Sequence, residues 1–450
     1  MLAVHGERGV VGRRLISHRV LRRASWGVAD QGLSSLTNFA LGIFVARSAT
    51  TAGFGAFSIV FTTFTVTLGL SRALTSEPLV VRCSDRSELG WRQGTVAATG
   101  TALAVGIALG LGCGLVGWTV GGTLAAPFLA LGATLPGLLL QDCWRYAFFA
   151  NGEGRKAFLN DALCAAVLVV LFGVLLRSGV ASIGLLVLAW GGAATVGALA
   201  GARQSGVVPV PQQARAWATR HRDLIPRYLG EFVASSGAGQ LSVYGVGLIG
   251  GLATLGSFRA GYLLFGPLQV LFMGIGLVAV PELVRFLRRS PRHLYLASSG
   301  LSVLLATVAL AWGMVVIPMP ASVGRAILGS TWSTAHALAL ALTVGWSASG
   351  IIAGTAAAIR ALAAARQGLK ARVAGSLFAI AGALLGVVLG GARGAAWGLS
   401  IAVCLECIVW RAQLTRALGE VGDPVGAERC DAATFVVGPT FVEKCGDAAS

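Results

Sequence analysis

The sequence predicts an all-α polytopic membrane protein with about twelve transmembrane helices. Apolar residues make up 55% of the chain, charged residues only 12%, and the mean hydropathy is +0.77. The apolar residues form stretches of roughly 16 to 26 residues, and about 20 residues in a helix cross a ~30 Å hydrocarbon core. These three observations exclude a soluble domain.

The predicted spans follow one another along the whole chain, and each is a largely apolar run. In order they are 24–46, 54–70, 94–118, 123–141, 158–176, 180–200, 228–250, 255–280, 294–317, 334–358, 373–389 and 395–410. The 63 glycines suit close contact between helices in lipid. The Arg-rich start runs into span 1 without a small-residue cleavage site, so span 1 is expected to remain in the mature protein.

The positive charges lie almost entirely on one side of the membrane if the spans alternate across it. The outer connections carry Arg47, Arg177, Arg325 and Arg393, and Arg259 lies inside a span, which leaves thirty of the 35 Lys and Arg residues on the other side. Cations beside short loops resist translocation, so both termini are predicted to be cytoplasmic. The net charge of +17 thus faces anionic lipid, and no nucleic-acid partner is expected.

The chain divides into two similar halves. An offset of 203 residues places Pro78 on Pro281, Val81 on Val284 and Arg82 on Arg285. Six spans restore the starting side, so a duplication gives parallel repeats. The predicted regions are a basic cytoplasmic N-terminus (1–23), an N-terminal six-helix bundle (24–200), a surface-lying cytoplasmic linker (201–227), a C-terminal six-helix bundle (228–418) and a disordered cytoplasmic tail (419–450).

Charged residues inside spans cost roughly 2.5–3.5 kcal/mol each on insertion scales, so each needs a reason. Asp30 and Glu231 lie near the cytoplasmic ends of spans 1 and 7, which are equivalent in the repeat. They are candidates for a pair that faces a central cleft and couples transport to a proton or sodium gradient. The alternative is that both reach back to the cytoplasmic headgroups.

Arg259 is the basic residue left inside a span, and its guanidinium could hold a phosphate with two hydrogen bonds. The alternative is that it reaches out to the outer headgroups. Asp161 is expected to pair locally with Lys156. Further polar candidates for a wet lumen are Gln31, Asn38, Gln240 and Glu406.

Tryptophans near the span ends are expected to form interfacial belts. They are Trp26, Trp118, Trp144, Trp332 and Trp410.

Enzyme chemistry is not expected, and neither catalytic residues nor a metal site is assigned. The five histidines are scattered, and no Walker A, HExxH or nucleotide-binding glycine motif occurs. Cys404 and Cys407 have CxxC spacing but stand in a span without a second pair. A membrane-embedded glycosyl- or acyltransferase stays open as a different class, and a non-transporting scaffold as a weaker third.

Several segments resemble the polysaccharide flippases of the multidrug/oligosaccharidyl-lipid/polysaccharide exporter superfamily. Val45-Ala46-Arg47 closes span 1 and Ala52-Gly53-Phe54-Gly55-Ala56-Phe57-Ser58 opens span 2, similar to the family's Ala-Arg and Phe-Gly signature. The segments from Gln141 to Tyr146, from Asn151 to Lys156 and from Gly368 to Lys370 resemble its loops after spans 4 and 10. Ser48-Ala49-Thr50-Thr51 replaces the usual Leu-Gly-Pro-acidic segment.

The resemblance implies two six-helix bundles around a central cavity, and alternating access that flips a lipid-linked oligosaccharide to the outer leaflet of a bacterial plasma membrane. It implies a polyprenyl-diphosphate-linked glycan as substrate, exopolysaccharide export as the role, membrane lipids as surroundings, and a polysaccharide polymerase or glycosyltransferases as partners. Arg47, Arg145 and Arg259 are the candidates for contact with the diphosphate, and no cofactor is expected. A cation-coupled multidrug exporter of the same superfamily ranks second, and a lipid II flippase third.

Overall fold

The computed structural model of the chain describes residues 5–84, 87–179 and 182–422, and within them it is helical without a β-strand. The α-helices are α1 (His5–Ser48), α2 (Thr51–Leu74), α3 (Ser76–Cys83), α4 (Glu88–Val120), α5 (Gly122–Ala150), α6 (Gly154–Ser178), α7 (Ile183–Ser205), α8 (Ala214–Arg220), α9 (Ile225–Phe232), α10 (Ala238–Leu264), α11 (Gly266–Leu287), α12 (Pro291–Val316), α13 (Ala321–Leu328), α14 (Trp332–His336), α15 (Ala339–Ala361) and α16 (Ala365–Gly422). The predicted tail lies outside the described residues from position 423 onward, as do residues 1–4.

The predicted all-α membrane fold class is confirmed. Within the described ranges, nine helical segments are long and apolar enough to cross a membrane, counting 225–264 and 365–420 as one each. The segment 225–264 is broken at Gly251, after which the chain continues through the bent α11. The segment 365–420 is broken at Gly390–Gly391. With these two divisions, eleven segments coincide with predicted spans, and the predicted first span, 24–46, lies within α1, which is not one of the nine.

Glycines make the tight turns at two predicted outer connections. Gly251 has φ 79° between spans 7 and 8, and Gly391 has φ 57° between spans 11 and 12. Residues with a Cβ avoid this left-handed region, so glycine lets the chain reverse within one or two residues. Consequently these outer connections are as short as the sequence predicts.

The chain forms two compact units. The first comprises residues 1–266, 313–342 and 379–399, and the second comprises residues 267–312, 343–378 and 400–450. The predicted domain boundaries at positions 200 and 228 follow the sequence repeat and stay a prediction.

In the first unit, helices touch through glycine. A Cβ added at Gly55 on α2 would overlap the backbone of Leu252, and one at Gly256 on α10 would overlap that of Thr51. This contact brings two helix backbones as close as they can pack, the use of small residues expected in membrane helices.

The hairpin within α16 around its Gly390–Gly391 break also packs backbone on backbone. A Cβ at Gly386 would strike the carbonyl of Gly394, and one at Gly398 would strike that of Gly382. The two arms therefore cross with no side chain between them.

The linker between the halves packs on protein, a contact that the sequence interpretation does not include. Trp217 on α8 is 4% exposed and joins the apolar cluster of Leu79, Cys83 and Trp91. Its Nε1 donates to the carbonyl oxygen of Leu74 at 2.9 Å, at the break between α2 and α3. This bond satisfies a carbonyl that the helix end leaves without an intrahelical donor.

In the second unit, α11, α12, α15 and α16 share a buried cluster. Leu283, Leu294, Ile359 and Leu414 are at its centre. Ser302 on α12 donates from its hydroxyl to the carbonyl oxygen of Ile351 at 3.1 Å. The unit thus has an apolar core of its own.

The tryptophan belt expected from the sequence is wrong at three positions. Trp144, Trp332 and Trp410 are buried in protein, whereas Trp118 is 78% exposed. A position near a span end does not separate an interfacial tryptophan from one packed between helices.

Candidate functional site

The first unit contains a cluster of buried charges where α1, α5 and α6 meet. Asp30 on α1 is fully buried, and its Oδ2 accepts a hydrogen bond from Arg145 Nε at 2.5 Å. Arg145 also donates to Oε1 of Gln31 at 3.2 Å, and its Nε lies 3.7 Å from Oδ2 of Asp161. One guanidinium therefore stands between two carboxylates.

Amide side chains extend this cluster along α6. Gln141 Nε2 donates to Oδ1 of Asp161 at 2.7 Å, and Asn160 Nδ2 donates to the carbonyl oxygen of Gly197 at 2.8 Å. Asn160 also bonds Oε1 of Gln204 at 3.2 Å. The bond from Gln141 holds the carboxylate of Asp161, because a buried ion is stable only when its remaining lone pairs are occupied.

A second ion pair lies beside the first. Arg72 on α2 donates from Nε and a terminal nitrogen to both oxygens of Asp142, at 2.9 and 2.6 Å. Its guanidinium also lies 5.3 Å from the ring centre of Tyr146. A bidentate Arg–carboxylate pair with an aromatic neighbour is rigid in both position and orientation.

Both groups border one cavity of about 140 Å³ in the first unit. Its wall includes Asn38, Arg72, Asp142, Arg145 and Asp161. The space admits several water molecules.

The cluster around this cavity carries more negative than positive side chains. Among the described residues, Asp30, Asp142 and Asp161 pair with Arg72 and Arg145, so one carboxylate lacks a matching cation there when all are ionised. The Oδ1 of Asp30 is buried and has no hydrogen-bond partner among the described residues. An orphaned buried oxygen of this kind is the place that a proton or a small cation would complete.

Four residues predicted from the sequence come together here. Asp30, Gln31 and Arg145 are in direct contact, and Asn38 borders the same cavity. Arg145 is the partner of Asp30, so its guanidinium is already occupied by a carboxylate.

The expected pairing of Asp30 with Glu231 does not occur. Glu231 on α9 is exposed and forms no ion pair with any described residue. The local pair of Asp161 with Lys156 is also wrong, because Lys156 bonds Glu153 at 2.7 Å. In both cases the ion pairs follow from where α5 lies beside α1 and α6, and not from closeness in sequence or equivalence in the repeat.

Arg259 and Gln240 both lie on α10 and are partly buried. No carboxylate among the described residues pairs with Arg259. Neighbouring turns are tightly packed, since a Cβ at Gly261 would meet Leu338 and Leu342. Its guanidinium thus remains inside a predicted span, with its charge unmatched by any described carboxylate.

Arg47 and Glu406 lie elsewhere. Arg47 is exposed in the last turn of α1, where its backbone packs on Gly329. Glu406 belongs to the second unit and accepts a hydrogen bond from Nε1 of Trp410 at 2.9 Å, beside Gly375. For Glu406 the contacts are those of helix packing.

Sequence reasoning missed Arg72 as a site residue. Predicted span 2 ends at position 70, which places Arg72 at the membrane boundary. The helical segment instead runs from Thr51 to Cys83, with a break at Thr75, so Arg72 lies well inside it. The available signal was the apolar run 78–81 beyond the arginine.

Comparisons with known proteins place the fold. No protein-family model matches the chain, and no curated protein matches it in sequence. An inward-facing multidrug resistance MATE family transporter of the MOP superfamily superposes with a TM-score of 0.68 at 16% identity, covering 85% of this chain and 95% of its own.

Two further solved structures agree. The lipid II flippase MurJ in an inward closed conformation gives a TM-score of 0.67 at 10% identity, over 92% of this chain and 93% of its own. A MATE in complex with MaL6 gives 0.53 at 14% identity, over 89% and 96%. The chain is therefore a multi-pass membrane protein with the fold shared by MATE transporters of the MOP superfamily and the flippase MurJ.

Proposed function

We propose that the chain is an alternating-access transporter that flips a lipid-linked oligosaccharide from the cytoplasmic to the outer leaflet. The fold is shared with a lipid flippase and with small-molecule exporters alike, which supports transport as the class. The observation that carries the flippase assignment is Arg259, a guanidinium inside a predicted span that pairs with no carboxylate in the described part of the chain.

Inserting an arginine into a membrane span without a counter-ion costs free energy, and a bound diphosphate would offset this cost. Insertion of the charge costs roughly 2.5–3.5 kcal/mol. A diphosphate offers pairs of oxygen acceptors that a planar guanidinium can bind with two hydrogen bonds, while a polyprenyl tail stays in lipid. Arg47, exposed in the last turn of α1, is the second cation proposed for the same group.

We assign Arg145 to a different task from substrate binding. It holds Asp30 and lies near Asp161, so it fixes the acid cluster that a proton or sodium ion would neutralise. Binding of one monovalent cation removes the unmatched negative charge, and this is the proposed link between the ion gradient and transport. Glu231 remains a candidate for coupling from the sequence alone.

The flippase proposal is tested with the full chain in proteoliposomes and fluorescent polyprenyl-diphosphate sugars. Arg259→Ala is expected to abolish flipping while insertion and yield persist. Arg325→Ala is the matched control, since Arg325 is exposed and lies in α13, outside the spans. Equal flipping by the two variants would remove Arg259 from the site.

Coupling is tested separately. Asp30→Asn should transport at a rate that no longer responds to a proton or sodium gradient, whereas the exposed control Asp223→Asn should respond like the unmodified chain. A full gradient response in Asp30→Asn would contradict the role of the acid cluster.

A cation-coupled multidrug exporter is the second candidate. The charge cluster beside the cavity favours it, because three carboxylates set against two guanidinium groups attract cationic compounds. Uptake of cationic dyes in the same liposomes, without flipping of the sugar lipids, would decide for it. Product formation from a lipid donor would instead identify a transferase.

The cellular setting belongs to the same proposal. We place the chain in a bacterial inner membrane with both termini in the cytoplasm, beside a polysaccharide polymerase or glycosyltransferases. Reporter fusions at both ends test the orientation, and an external signal from either end would overturn it.

A further inference from the structure

A groove runs between α11 and α12 in the second unit, away from every residue discussed as a site. It encloses about 660 Å³. The α11 wall includes Val270, Gly274, Val278, Glu282 and Phe286, and Leu301 contributes from α12. Apart from Glu282 these side chains are apolar.

The groove has the shape of an extended chain. Its α11 residues recur every four positions from 270 to 286, a stripe of about 24 Å along a helix. A bend of 43° between Gly266–Gly276 and Val278–Leu287 opens it. Val270 is 52% exposed and Val278 is 65% exposed, so protein does not fill the space.

One end of the groove is strongly cationic. Glu282 is neutralised by Arg285, whose terminal nitrogen donates to Oε1 at 2.6 Å. Beyond this pair, Arg288, Arg289 and Arg292 are exposed around the turn into α12. None of the three pairs with a carboxylate among the described residues.

The equivalent surface in the first half is covered. With the offset of 203, Val278, Glu282 and Phe286 match Thr75, Leu79 and Cys83. Those three are 0%, 0% and 6% exposed, and the last two pack with Trp217 of the linker. The second half therefore exposes a surface that its counterpart hides.

We propose that this groove is a binding site for one anionic phospholipid. An acyl chain lies along the apolar stripe, and the phosphate headgroup meets Arg288, Arg289 and Arg292. The apolar part lies within a predicted span, where lipid is the surrounding solvent and a polar peptide would be left with unpaired backbone groups. The three guanidinium groups select an anionic headgroup over a zwitterionic one, since each basic residue near an anionic lipid is worth roughly a fivefold change in affinity.

The test is native mass spectrometry of the delipidated full chain with palmitoyl-oleoyl phosphatidylglycerol or the matching phosphatidylcholine. The unmodified chain is expected to prefer phosphatidylglycerol by at least about tenfold. Arg288→Gln, Arg289→Gln and Arg292→Gln together should abolish the preference. The control triple, Arg360→Gln, Arg366→Gln and Lys370→Gln, removes equal charge from exposed positions at another turn and should keep it.

A pair of glycine variants tests the groove without changing charge. Gly274→Phe should fill it, because a Cβ there meets nothing within 4 Å, and binding of both lipids should fall. Gly276 is equally open but is not part of the wall, so Gly276→Phe should bind like the unmodified chain.

Three results would overturn the proposal. They are no headgroup preference in the unmodified chain, equal loss in the two charge triples, and equal binding by the two glycine variants. A photo-crosslinker at position 278 adds a direct reading: adducts with lipid support the site, and adducts with residues 423–450 of the same chain would assign the groove to that segment.

Discussion

The corner where α3 packs on α4 in the first half is covered by the linker at Leu79 and Cys83, whereas the matching corner between α11 and α12 in the second half is open. Trp91 and Leu294 occupy equivalent positions and are both buried, at 4% and 0% exposure. Their neighbours Cys83 and Phe286, which are equivalent in the repeat, differ, because only Cys83 packs in a cluster with Trp217. The repeat thus preserves the burial of Trp91 and Leu294, and the linker between the halves determines whether the neighbouring surface is covered.

One position in the third span of each half shows why the linker can pack on the first half. Gly100 on α4 lies against the backbone of Val210 in the linker, and the equivalent Val303 on α12 is 62% exposed. Glycine leaves room for a chain to cross, and valine does not. Variants at Trp217, Gly100 and His221 each change one contact of the covered corner and leave the open corner of the second half intact.

The largest effect is expected from Trp217→Ala. Truncation of a buried aromatic costs about 3–5 kcal/mol, and here the carbonyl of Leu74 also loses its donor. The free energy of unfolding and the hydrogen exchange of residues 207–224 measure it. Trp397→Ala is the control, since Trp397 is 41% exposed, and a similar loss in both variants would show that Trp217 does not hold the linker.

A smaller effect is expected from Gly100→Leu, about 1–3 kcal/mol, because the new side chain must displace the linker backbone. Limited proteolysis within 206–213 is the measurement. On the same helix, Gly112→Leu meets open space and should leave the cleavage rate unchanged. If the two variants are cleaved equally, the close approach at Gly100 is not what seats the linker.

Acid is expected to loosen the covered corner slightly. His221, outside the spans, is 4% exposed, and its Nδ1 donates to the carbonyl oxygen of Trp217 at 2.9 Å. Burial lowers the pKa of His221 below its usual value of 6.5, with Arg82 and Arg220 lowering it further and the Trp217 carbonyl and Asp223 opposing them.

The sign follows from linkage. Above pH 6.5 the imidazole is neutral whether the linker is docked or not, and stability does not depend on this group. As the pH falls below that value the undocked state takes up the proton first, so docking weakens. Exchange of residues 214–224 between pH 7.5 and 5.5 measures it; His221→Gln should remove the response and the exposed His293→Gln should not.

The spans could be predicted because length and apolarity are local properties of the sequence. The tight turns at Gly251 and Gly391 were predictable as short connections for the same reason. The partner of Asp30 was not, since Arg145 lies 115 positions away and only the packing of α5 against α1 brings them together. Repeat symmetry suggests Glu231, but Glu231 is exposed on α9 and forms no ion pair with any described residue.

The packing of the linker likewise could not be predicted from the sequence. Its basic, weakly amphipathic sequence predicted a segment lying on the membrane surface. Trp217 instead enters a protein cluster, because the break at Thr75 leaves both a carbonyl and an apolar hollow beside it. A helix break inside a span gives no clear sign in composition, so neither the hollow nor its occupant could be read in advance.

The crossing of the two arms of α16 has a consequence for tracing ancestry. Gly386, Gly394 and Gly398 meet backbone carbonyls directly, so even the methyl group of alanine has no room. In a deep mutational library these three positions should be the least permissive of the hairpin. They offer a landmark by which distant homologues can be aligned after the rest of the chain has diverged beyond recognition.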